Sequence, residues 1–336
     1  MSLPESLTPL AVLAIAAVAS ALCINAIRPL LVRYAMARPN ARSSHKVPTP
    51  QGAGIAVVGT TLLVAGAAIA WLATVPAVLW VLFAATVVLA VVGAVDDLRP
   101  LPVGPRFALQ ALCVAVVLVA LPEQVRVVPV LPLWIERAIL LIAALWFVNL
   151  TNFMDGLDWM TVAEVVPVTA ALLLMCLFGA ASLPTALIAA ALCGAMLGFA
   201  PHNRPVAKMF LGDVGSLPIG LLLAWCFLQL ASNGHLAAAI LLPLYYLADA
   251  TITLLRRMAR REPFWQAHRS HFYQRATDNG FAVIEVVRRV FILNVALAVI
   301  AGLSIRFGGT AASLVWLAIG GCAVAFVLRS FSRARQ

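Results

Sequence analysis

Five of the thirteen acidic residues lie in three short segments, each beside a long apolar run. They are Asp96 and Asp97, Asp155 and Asp158, and Asp213. Only 11% of the chain is charged and 63% is hydrophobic. An ionised carboxylate next to hydrocarbon is costly and usually serves a function. If the three segments meet on one membrane face, they can build a single metal and phosphate site.

The first segment ends an apolar run with two adjacent carboxylates. A helix turns neighbouring side chains about 100° apart, so Asp96 and Asp97 need not contact the same ion. One can face a metal or accept a proton while the other orients it. Arg106, at the start of the next apolar run, could meet a phosphate. The alternative is a solvated helix end, although acids at a helix C-terminus oppose the macrodipole.

The second segment spaces amides and carboxylates regularly. Asn149, Asn152, Asp155 and Asp158 follow in steps of three, which keeps neighbours adjacent on a helix surface. An amide and a carboxylate together suit a nucleobase edge or a hydrated metal ion. The spacing therefore predicts one polar ridge at the end of an apolar span.

Candidate phosphate ligands accompany these acids. Asn203 and Lys208 precede Asp213, and glycines flank this acid at the predicted start of a helix, where anions are favoured. Lys46 stands before a Pro-Thr-Pro turn and is either a phosphate ligand or an ordinary loop lysine.

A late polar segment, 256–288, is rich in His and Arg. His268 and His271 could bind zinc, but no third ligand lies nearby in the sequence. Phosphate contact by these histidines and by Arg269 is the better interpretation. The segment is long enough for a short amphipathic helix and a loop.

The composition predicts an all-α polytopic membrane protein. A mean hydropathy of +1.02, with apolar runs of about 20 residues, excludes an ordinary soluble domain. The chain reads as one integral-membrane domain, 1–336. About eleven transmembrane helices are predicted, over residues 8–28, 52–73, 77–95, 106–121, 133–150, 160–179, 183–200, 215–232, 236–254, 289–306 and 309–328.

The cationic residues predict the orientation. With a periplasmic N-terminus, only Arg126, Arg137 and Arg306 of the 23 Lys and Arg lie outside. This asymmetry predicts a cytoplasmic C-terminus and places every acidic segment on the cytoplasmic side. The net charge of +10 then reflects topology, and nucleic-acid binding is not expected because the charges are spread over short loops.

The Pro-rich outside stretch, 122–133, is predicted to be a short hairpin or loop.

Several motifs occur in the order found in one enzyme family. They are Asp96-Asp97 before a span, Asn-x-x-Asp-Gly at 152–156, the segment 205–216 with Ala-Lys-x-Phe-x-Gly-Asp-x-Gly-Ser, and the late His loop. In these the chain resembles the polyprenyl-phosphate N-acetylhexosamine-1-phosphate transferases, glycosyltransferase family 4, which include the phospho-N-acetylmuramoyl-pentapeptide translocase. That translocase usually has three histidines where this chain has His268-Arg-Ser-His271. The late loop is more similar to the branch that initiates O-antigen and related surface glycans.

The resemblance implies a reaction at the cytoplasmic face of the bacterial inner membrane. An (N-acetyl)hexosamine 1-phosphate would pass from a UDP-sugar to undecaprenyl phosphate, giving the lipid-diphosphate sugar and UMP. Mg²⁺, for which Mn²⁺ can substitute, and cationic side chains would screen the repulsion between the two anionic substrates. The expected partners are the UDP-sugar, undecaprenyl phosphate and the lipid bilayer, and a homodimer is a further candidate assembly.

The resemblance also implies roles for individual residues. Asp213 would bind Mg²⁺, with Asp155 as a second ligand, and Asp96 or Asp97 would position or deprotonate the lipid phosphate. The remaining substrate-binding candidates are Lys46, Arg106, Asn149, Asn152, Asp158, Asn203, Lys208, His268, Arg269 and His271.

Two other functions stay open at this point. The chain could be the peptidoglycan translocase itself, which would use UDP-muramoyl-pentapeptide. It could also be a secondary transporter with acids along a path, although transporter sites tend to lie near the midplane on broken helices. The absence of a convincing internal repeat in the sequence weakens the transporter interpretation.

Overall fold

The computed structural model describes residues 3–37, 47–72, 75–263 and 268–335. Lys46 lies outside the described residues, so its predicted role has no structural counterpart. Helices dominate the described chain, and one short antiparallel pair joins β1 to β2. The elements are α1 (Leu3–Tyr34), β1 (Met36–Ala37), β2 (Thr49–Pro50), α2 (Gly54–Leu72), α3 (Ala77–Leu98), α4 (Val103–Val119), α5 (Leu133–Met154), α6 (Met160–Leu177), α7 (Leu183–Phe199), α8 (Asp213–Ser232), α9 (Leu236–Leu241), α10 (Leu244–Ala259), α11 (Phe272–Asp278), α12 (Val283–Arg306) and α13 (Thr310–Phe331).

The helices have the length and composition of a multi-pass membrane protein. Seven are long and apolar enough to cross a bilayer, namely α1, α2, α3, α5, α6, α8 and α13. The apolar helices α4 and α7 are shorter. Large apolar side chains such as Leu63 and Trp71 point away from the protein, with 75% and 87% of their surfaces exposed. The polytopic helical class is confirmed, whereas eleven spans and the orientation of the termini stay predictions.

The predicted span 236–254 is wrong as one continuous helix. α9 ends at Leu241 and α10 begins at Leu244, so Leu242 and Pro243 interrupt it. Proline lacks the backbone N–H that a continuing helix needs, and its ring crowds the preceding turn. α10 then continues to Ala259, beyond the predicted boundary.

The loop between α4 and α5 is held by one buried acid. Glu136 is 2% exposed, accepts the backbone N–H groups of Val127 and Val128 and pairs with Arg126. A buried carboxylate is stabilised when hydrogen bonds and an opposite charge replace its water. No strand is assigned within 122–133, all of which the structure describes, so the loop prediction is confirmed and the hairpin alternative is wrong.

α6 and α8 lie at the centre of the bundle, and glycines bring other helices close to it. In the apolar windows of α8 and α6, 83% and 78% of the residues are buried, against 22% in α1. α1 packs on α7, where a Cβ at Gly194 or Gly198 would lie 2.1 or 2.3 Å from a carbonyl oxygen of α1. Small residues allow this close backbone approach between membrane helices.

The start of α8 is the junction of three helices. A Cβ at Gly54 of α2 would lie 2.3 Å from the Cα of Gly215, and a Cβ at Gly93 of α3 would lie 2.3 Å from the carbonyl oxygen of Asp213. Just before α2, Gly52 and Ala53 donate their N–H groups to the carbonyl of Phe210. The loops that precede α2 and α8 are therefore fixed to each other, beside the end of α3.

Candidate active site at the start of helix α8

Asp97 holds the start of α8 with both carboxylate oxygens. Oδ1 accepts the backbone N–H of Asp213 at 2.9 Å, and Oδ2 accepts that of Val214 at 3.1 Å. A carboxylate is favoured there because it satisfies the free N–H groups of a helix N-terminus and complements its dipole. At Gly212, where φ is 78°, a Cβ would lie 2.5 Å from Oδ2 of Asp97. Asp97 thus fixes the backbone that carries Asp213.

Asp213 is more open than its acidic neighbour Asp96. Its side chain is 26% exposed, against 8% for Asp96. Oδ1 of Asp213 accepts the side-chain N–H of Asn152 at 2.7 Å, and the same amide nitrogen lies 2.9 Å from Ser216 Oγ. Because Asn152 lies in the last turn of α5, this bond joins the end of α5 to the start of α8.

Asp96 turns away from Asp97, towards α4. Its Oδ1 accepts the backbone N–H of Leu101 at 2.6 Å, and its Oδ2 accepts Arg106 Nη1 at 2.5 Å. The same guanidinium nitrogen lies 3.5 Å from Asp213 Oδ2. The predicted divergence of the two adjacent carboxylates is confirmed.

Asp155 lies beside this group in the loop after α5. Burial, with the nearby carboxylates of Asp97 and Asp158, raises the pKa of Asp155 to about 7, although Thr161 donates a hydrogen bond to it. A nearby cation would favour the charged form. The structure therefore brings together residues from the ends of α3, α4, α5 and α8. We call this set the acid centre: Asp96, Asp97, Arg106, Asn152, Asp155 and Asp213.

The charge and chemistry of the acid centre fit Mg²⁺. It contains four carboxylates and one guanidinium, which contacts Asp96 and Asp213. Carboxylate and amide oxygens are the hard ligands that Mg²⁺ prefers. Within the described residues, no set of three or more His, Cys, Asp or Glu forms a ready-made metal cage. Mg²⁺ commonly takes only one or two carboxylates and completes its shell with water and substrate phosphates. Asp213 and Asp155 could hold the ion in that manner.

The predicted ridge of four polar residues is wrong. α5 ends at Met154, and Asp155 leaves the helical conformation with ψ at 41°, so the steps of three stop there. Asp158 lies in the following loop and accepts the backbone N–H of Ala207 at 2.9 Å. Asn149 is buried in α5 and donates to the carbonyl of Leu145. Only Asn152 and Asp155 of the four belong to the acid centre.

Asn203 also joins two loops. Its Oδ1 accepts the backbone N–H of Trp159 at 2.7 Å, and its Nδ2 donates to the carbonyl of Met209 at 2.9 Å. With the bond from Ala207 to Asp158, this fixes the segment before α8 against the segment before α6. Lys208 lies on the exposed side of the same segment, and no ion pair joins it to an acid in the described chain.

The late loop is anchored by Asp249, a fully buried acid of α10. Asp249 accepts the backbone N–H groups of Phe272 and Tyr273 at 3.0 and 3.1 Å. His271 Nδ1 lies 3.2 Å from Asp249 Oδ1. The carboxylate therefore starts α11 and orients the imidazole, since the partner of one ring nitrogen fixes the role of the other.

The second histidine of the loop packs on the first. The rings of His268 and His271 stack with centroids 4.9 Å apart, and Ser270 Oγ lies 2.9 Å from His268 Nδ1. Burial, with the charges of His271 and Arg257, lowers the pKa of His268 to about 4. His268 is neutral near pH 7 and can offer a phosphate a neutral N–H donor. Arg269 pairs with Asp278 at 3.2 Å.

Tyr273 brings the late loop to the acid centre. Its hydroxyl donates to the carbonyl of Phe153 at 2.8 Å. A Cβ at Gly156 would lie 2.2 Å from this hydroxyl, so only glycine leaves room for it. The ring of Phe153 lies 6.4 Å from that of His271. His271 is therefore adjacent to the end of α5 that carries Asn152 and Asp155.

Sequence reasoning missed Asp249, Tyr273 and Ser216. Asp249 did carry a signal, because it is an acid inside the predicted span 236–254, where ionisable residues are rare. The roles of Tyr273 and Ser216 depend on contacts with α5, which the sequence pattern does not reveal.

Comparison with known proteins identifies similar sequences. Residues 79–231 match the family model described as glycosyl transferase family 4. A decaprenyl-phosphate N-acetylglucosaminephosphotransferase of Mycobacterium tuberculosis is 35% identical over 217 residues, covering 56% of this chain and 52% of that protein. The protein of the same name from Mycolicibacterium smegmatis is 34% identical over 225 residues, covering 59% and 54%.

A relative with a different substrate name also matches. A phospho-N-acetylmuramoyl-pentapeptide-transferase of Mycobacterium bovis is 32% identical over 167 residues, covering 42% of this chain and 45% of that protein. The chain spans about half the length of the curated relatives it matches. Every residue of the acid centre lies within the matched range 79–231, whereas Asp249 and the late loop follow it. Over these matched regions the chain is similar to the polyprenyl-phosphate hexosamine-1-phosphate transferases of glycosyl transferase family 4.

Proposed function

We propose that the protein transfers an (N-acetyl)hexosamine 1-phosphate from a UDP-sugar to a polyprenyl phosphate, releasing UMP. The observation that carries the proposal is the convergence of Asp96, Asp97, Asn152 and Asp213 with Arg106 at the ends of four helices. We place this site at the cytoplasmic face of the bacterial inner membrane, because the positive-inside pattern puts these helix ends there. The product would initiate a cell-surface glycan such as O-antigen, as the late-loop pattern suggests.

Asp213 is the residue best placed to contact the reacting phosphates through a cation. It is more exposed than Asp96, and Asn152 and Asp97 fix its side chain and backbone. Bound Mg²⁺ would neutralise charge on the diphosphate and stabilise the charge that develops on UMP. Asp155 is the second carboxylate that could hold it.

Asp96 and Arg106 form the second reactive unit in this proposal. Their ion pair lies beside Asp213, so Arg106 can attract the lipid phosphate while Asp96 orients the guanidinium or accepts a proton. Asp97 already accepts two backbone N–H groups of α8. It acts mainly as a positioning residue, which favours Asp96 for the lipid phosphate.

The late loop would also contact the UDP-sugar. Asp249 fixes His271, and Tyr273 holds the loop against the end of α5. Both imidazoles can donate N–H groups to phosphate or sugar oxygens. Asn152 can offer its side-chain amide to the nucleotide if the UDP-sugar displaces one of the two hydrogen bonds that this amide now makes.

An apolar cavity of about 200 Å³ is available for part of the prenyl chain. It lies among α4, α5, α8, α9 and α10, and its walls include Phe147, Trp225 and Leu247. Pro243, at the break between α9 and α10, also lines it. An apolar chain in such a cavity gains contact with the protein without losing polar partners.

The test is UMP release by the purified protein in nanodiscs. A panel of UDP-sugars, beginning with UDP-N-acetylglucosamine, would be combined with undecaprenyl or decaprenyl phosphate and Mg²⁺. We expect UMP and a lipid-linked sugar with one donor, and neither product without acceptor lipid. If no donor gives UMP with either acceptor, the proposal is wrong.

A second candidate follows from the Mycobacterium bovis relative, whose name specifies phospho-N-acetylmuramoyl-pentapeptide transfer. Including UDP-N-acetylmuramoyl-pentapeptide in the same panel distinguishes the two donors by their initial rates. A secondary transporter is distinguished by the same assay, because transport alone releases no UMP.

A further inference from the structure

Five arginines surround a cavity of about 290 Å³ beside the late loop. We call it the arginine pocket. Its arginines are Arg256, Arg257, Arg260, Arg269 and Arg275.

The positive charge of this pocket is only partly balanced. Arg257 pairs with Glu262 at 2.8 Å, and Arg269 pairs with Asp278. Arg256, Arg260 and Arg275 have no ion pair with an acid in the described chain. Like charges gathered around one cavity repel each other, so an anion in the cavity would stabilise the arrangement.

The pocket is separate from the acid centre and adjoins the residues of α10 that hold the late loop. Thr253 lines the pocket, and its hydroxyl lies 3.4 Å from Asp249 Oδ1, one turn earlier on the same face. Arg256 packs its guanidinium over the ring of Phe272, 4.6 Å from the centroid. Phe272 donates its N–H to Asp249, so the pocket adjoins the contact that orients His271.

Apolar neighbours indicate that the pocket lies at the membrane surface. Leu255 and Met258 alternate with the arginines at the end of α10 and are 56% and 47% exposed. Arginines at the end of an apolar helix hold their charged groups at the level of the lipid headgroups. Basic pockets on the cytoplasmic side of membrane helices bind anionic headgroups.

We propose that the arginine pocket binds the phosphate of an anionic membrane phospholipid. This goes beyond the proposed transfer reaction, whose phosphates we place between the acid centre and the two histidines of the late loop. The planar guanidinium groups suit phosphate oxygens because each can donate two parallel N–H bonds. The bound headgroup would offset the repulsion among the arginines and stabilise the contact of α10 with α11, so the lipid composition would influence how firmly His271 is held.

The test measures lipid retention directly. Purified protein is exchanged into micelles that contain equal phosphatidylglycerol and phosphatidylcholine, and bound lipids are counted by native mass spectrometry. The variants Arg256→Gln and Arg260→Gln each remove one pocket charge. Arg288→Gln removes a matched exposed arginine from α12, outside the pocket. Arg260 is exposed, so Arg260→Gln keeps the test valid even if Arg256→Gln fails to fold.

We expect wild type and Arg288→Gln to retain phosphatidylglycerol preferentially, and each pocket variant to lose about fivefold in affinity. Equal retention of phosphatidylglycerol by wild type and Arg260→Gln would contradict the proposal. So would a loss of affinity in Arg288→Gln as large as that in the pocket variants. Further arms add UDP-N-acetylglucosamine, inorganic pyrophosphate or undecaprenyl phosphate. Displacement of phosphatidylglycerol by any of these at substrate-like concentrations would reassign the pocket to a substrate and overturn the proposal. Because retention is measured without turnover, this outcome is independent of whether sugar phosphate is transferred.

Discussion

At the residue scale, the two adjacent aspartates have different environments. Asp97 accepts two N–H groups of α8, whereas Asp96 accepts Arg106 and the backbone of Leu101. Asp213 combines fixed geometry with partial exposure. Substitutions at these positions should therefore have different consequences, even though the chemical change is the same.

Asp213→Asn should leave the protein folded and reduce turnover by orders of magnitude. A neutral amide is a poor replacement for a carboxylate ligand of Mg²⁺. UMP release by wild type should stop in EDTA and return with Mg²⁺ or Mn²⁺. The control is Glu123→Gln, which changes an exposed acid in the loop between α4 and α5. Full wild-type activity in EDTA would contradict the metal-dependent mechanism.

Asp249→Asn should lower both stability and turnover. The amide can accept only one of the two N–H groups of Phe272 and Tyr273, because its NH₂ group faces the other donor. Leaving that buried donor unpaired costs about 1–3 kcal/mol. Tyr245→Phe removes one other donor to Asp249 and should have a smaller effect.

The same variant tests whether Asp249 positions His271. Turnover per folded molecule would be compared with wild type. A purely structural role would lower the melting temperature and leave the turnover of the folded fraction unchanged. A lower turnover per folded molecule is expected if Asp249 fixes the orientation of His271.

His268 should make stability depend on pH in the acidic range. Its folded pKa is about 4, below its ordinary value of 6.5, since burial, His271 and Arg257 disfavour the charged form. Between these values the unfolded chain binds a proton that the folded protein does not, so stability falls as the pH decreases from about 6.5 to 4. Melting temperatures of wild type and His268→Gln would be measured at pH 8 and pH 5. The decrease between them should be smaller in the variant, and equal decreases would contradict the assignment.

At the element scale, the acid centre depends on how closely α2, α3 and α8 approach one another. Gly54, Gly93 and Gly215 remove the side chains that would separate these helices. The hydrogen bonds from α8 to Asp97 require this approach, so packing of the apolar helices and geometry of the polar site are coupled.

Gly54→Ala should destabilise the protein and reduce activity, whereas Gly59→Ala should not. At Gly54 the added Cβ would lie 2.3 Å from Gly215 Cα, which forces α2 and α8 apart. At Gly59 of the same helix, no heavy atom lies within 4 Å of the added Cβ. Overpacking costs about 1–3 kcal/mol, while alanine in place of a helical glycine with free space beside it is neutral or stabilising by up to about 1 kcal/mol. Melting temperature in detergent separates the two, and equal values would contradict the close-packing interpretation.

The convergence of the acids was predictable, but their individual partners were not. Short connections between long apolar helices return alternate helix ends to the same side, so Asp96, Asp155 and Asp213 were expected to meet. The predicted polar ridge at 149–158 was wrong, because a spacing of three residues in the sequence does not reveal that α5 ends at Met154. The link from Asp249 to His271 joins residues 22 positions apart across a loop, and no local pattern predicts such a contact.

At the scale of the whole molecule, the basic residues and the acid centre lead to one prediction about orientation. Cysteines introduced near Arg126 should react with a membrane-impermeant thiol reagent in intact cells, and those near Glu262 should not. The native cysteines must first be replaced, because Cys322 is exposed. Labelling near Glu262 from outside would reverse the predicted topology and move the acid centre to the periplasmic face.

The contact of α1 with α7 has a consequence for biosynthesis. α1 ends at Tyr34 and α7 begins at Leu183, so a ribosome must add all the residues between them before the two helices can pack. At usual elongation rates this delay is on the order of ten seconds. During that time the stripe of α1 that later meets Gly194 and Gly198 is open to lipid or to the insertion machinery. A nascent chain arrested before residue 183 should therefore leave α1 accessible to crosslinking, and release of the arrest should bury it.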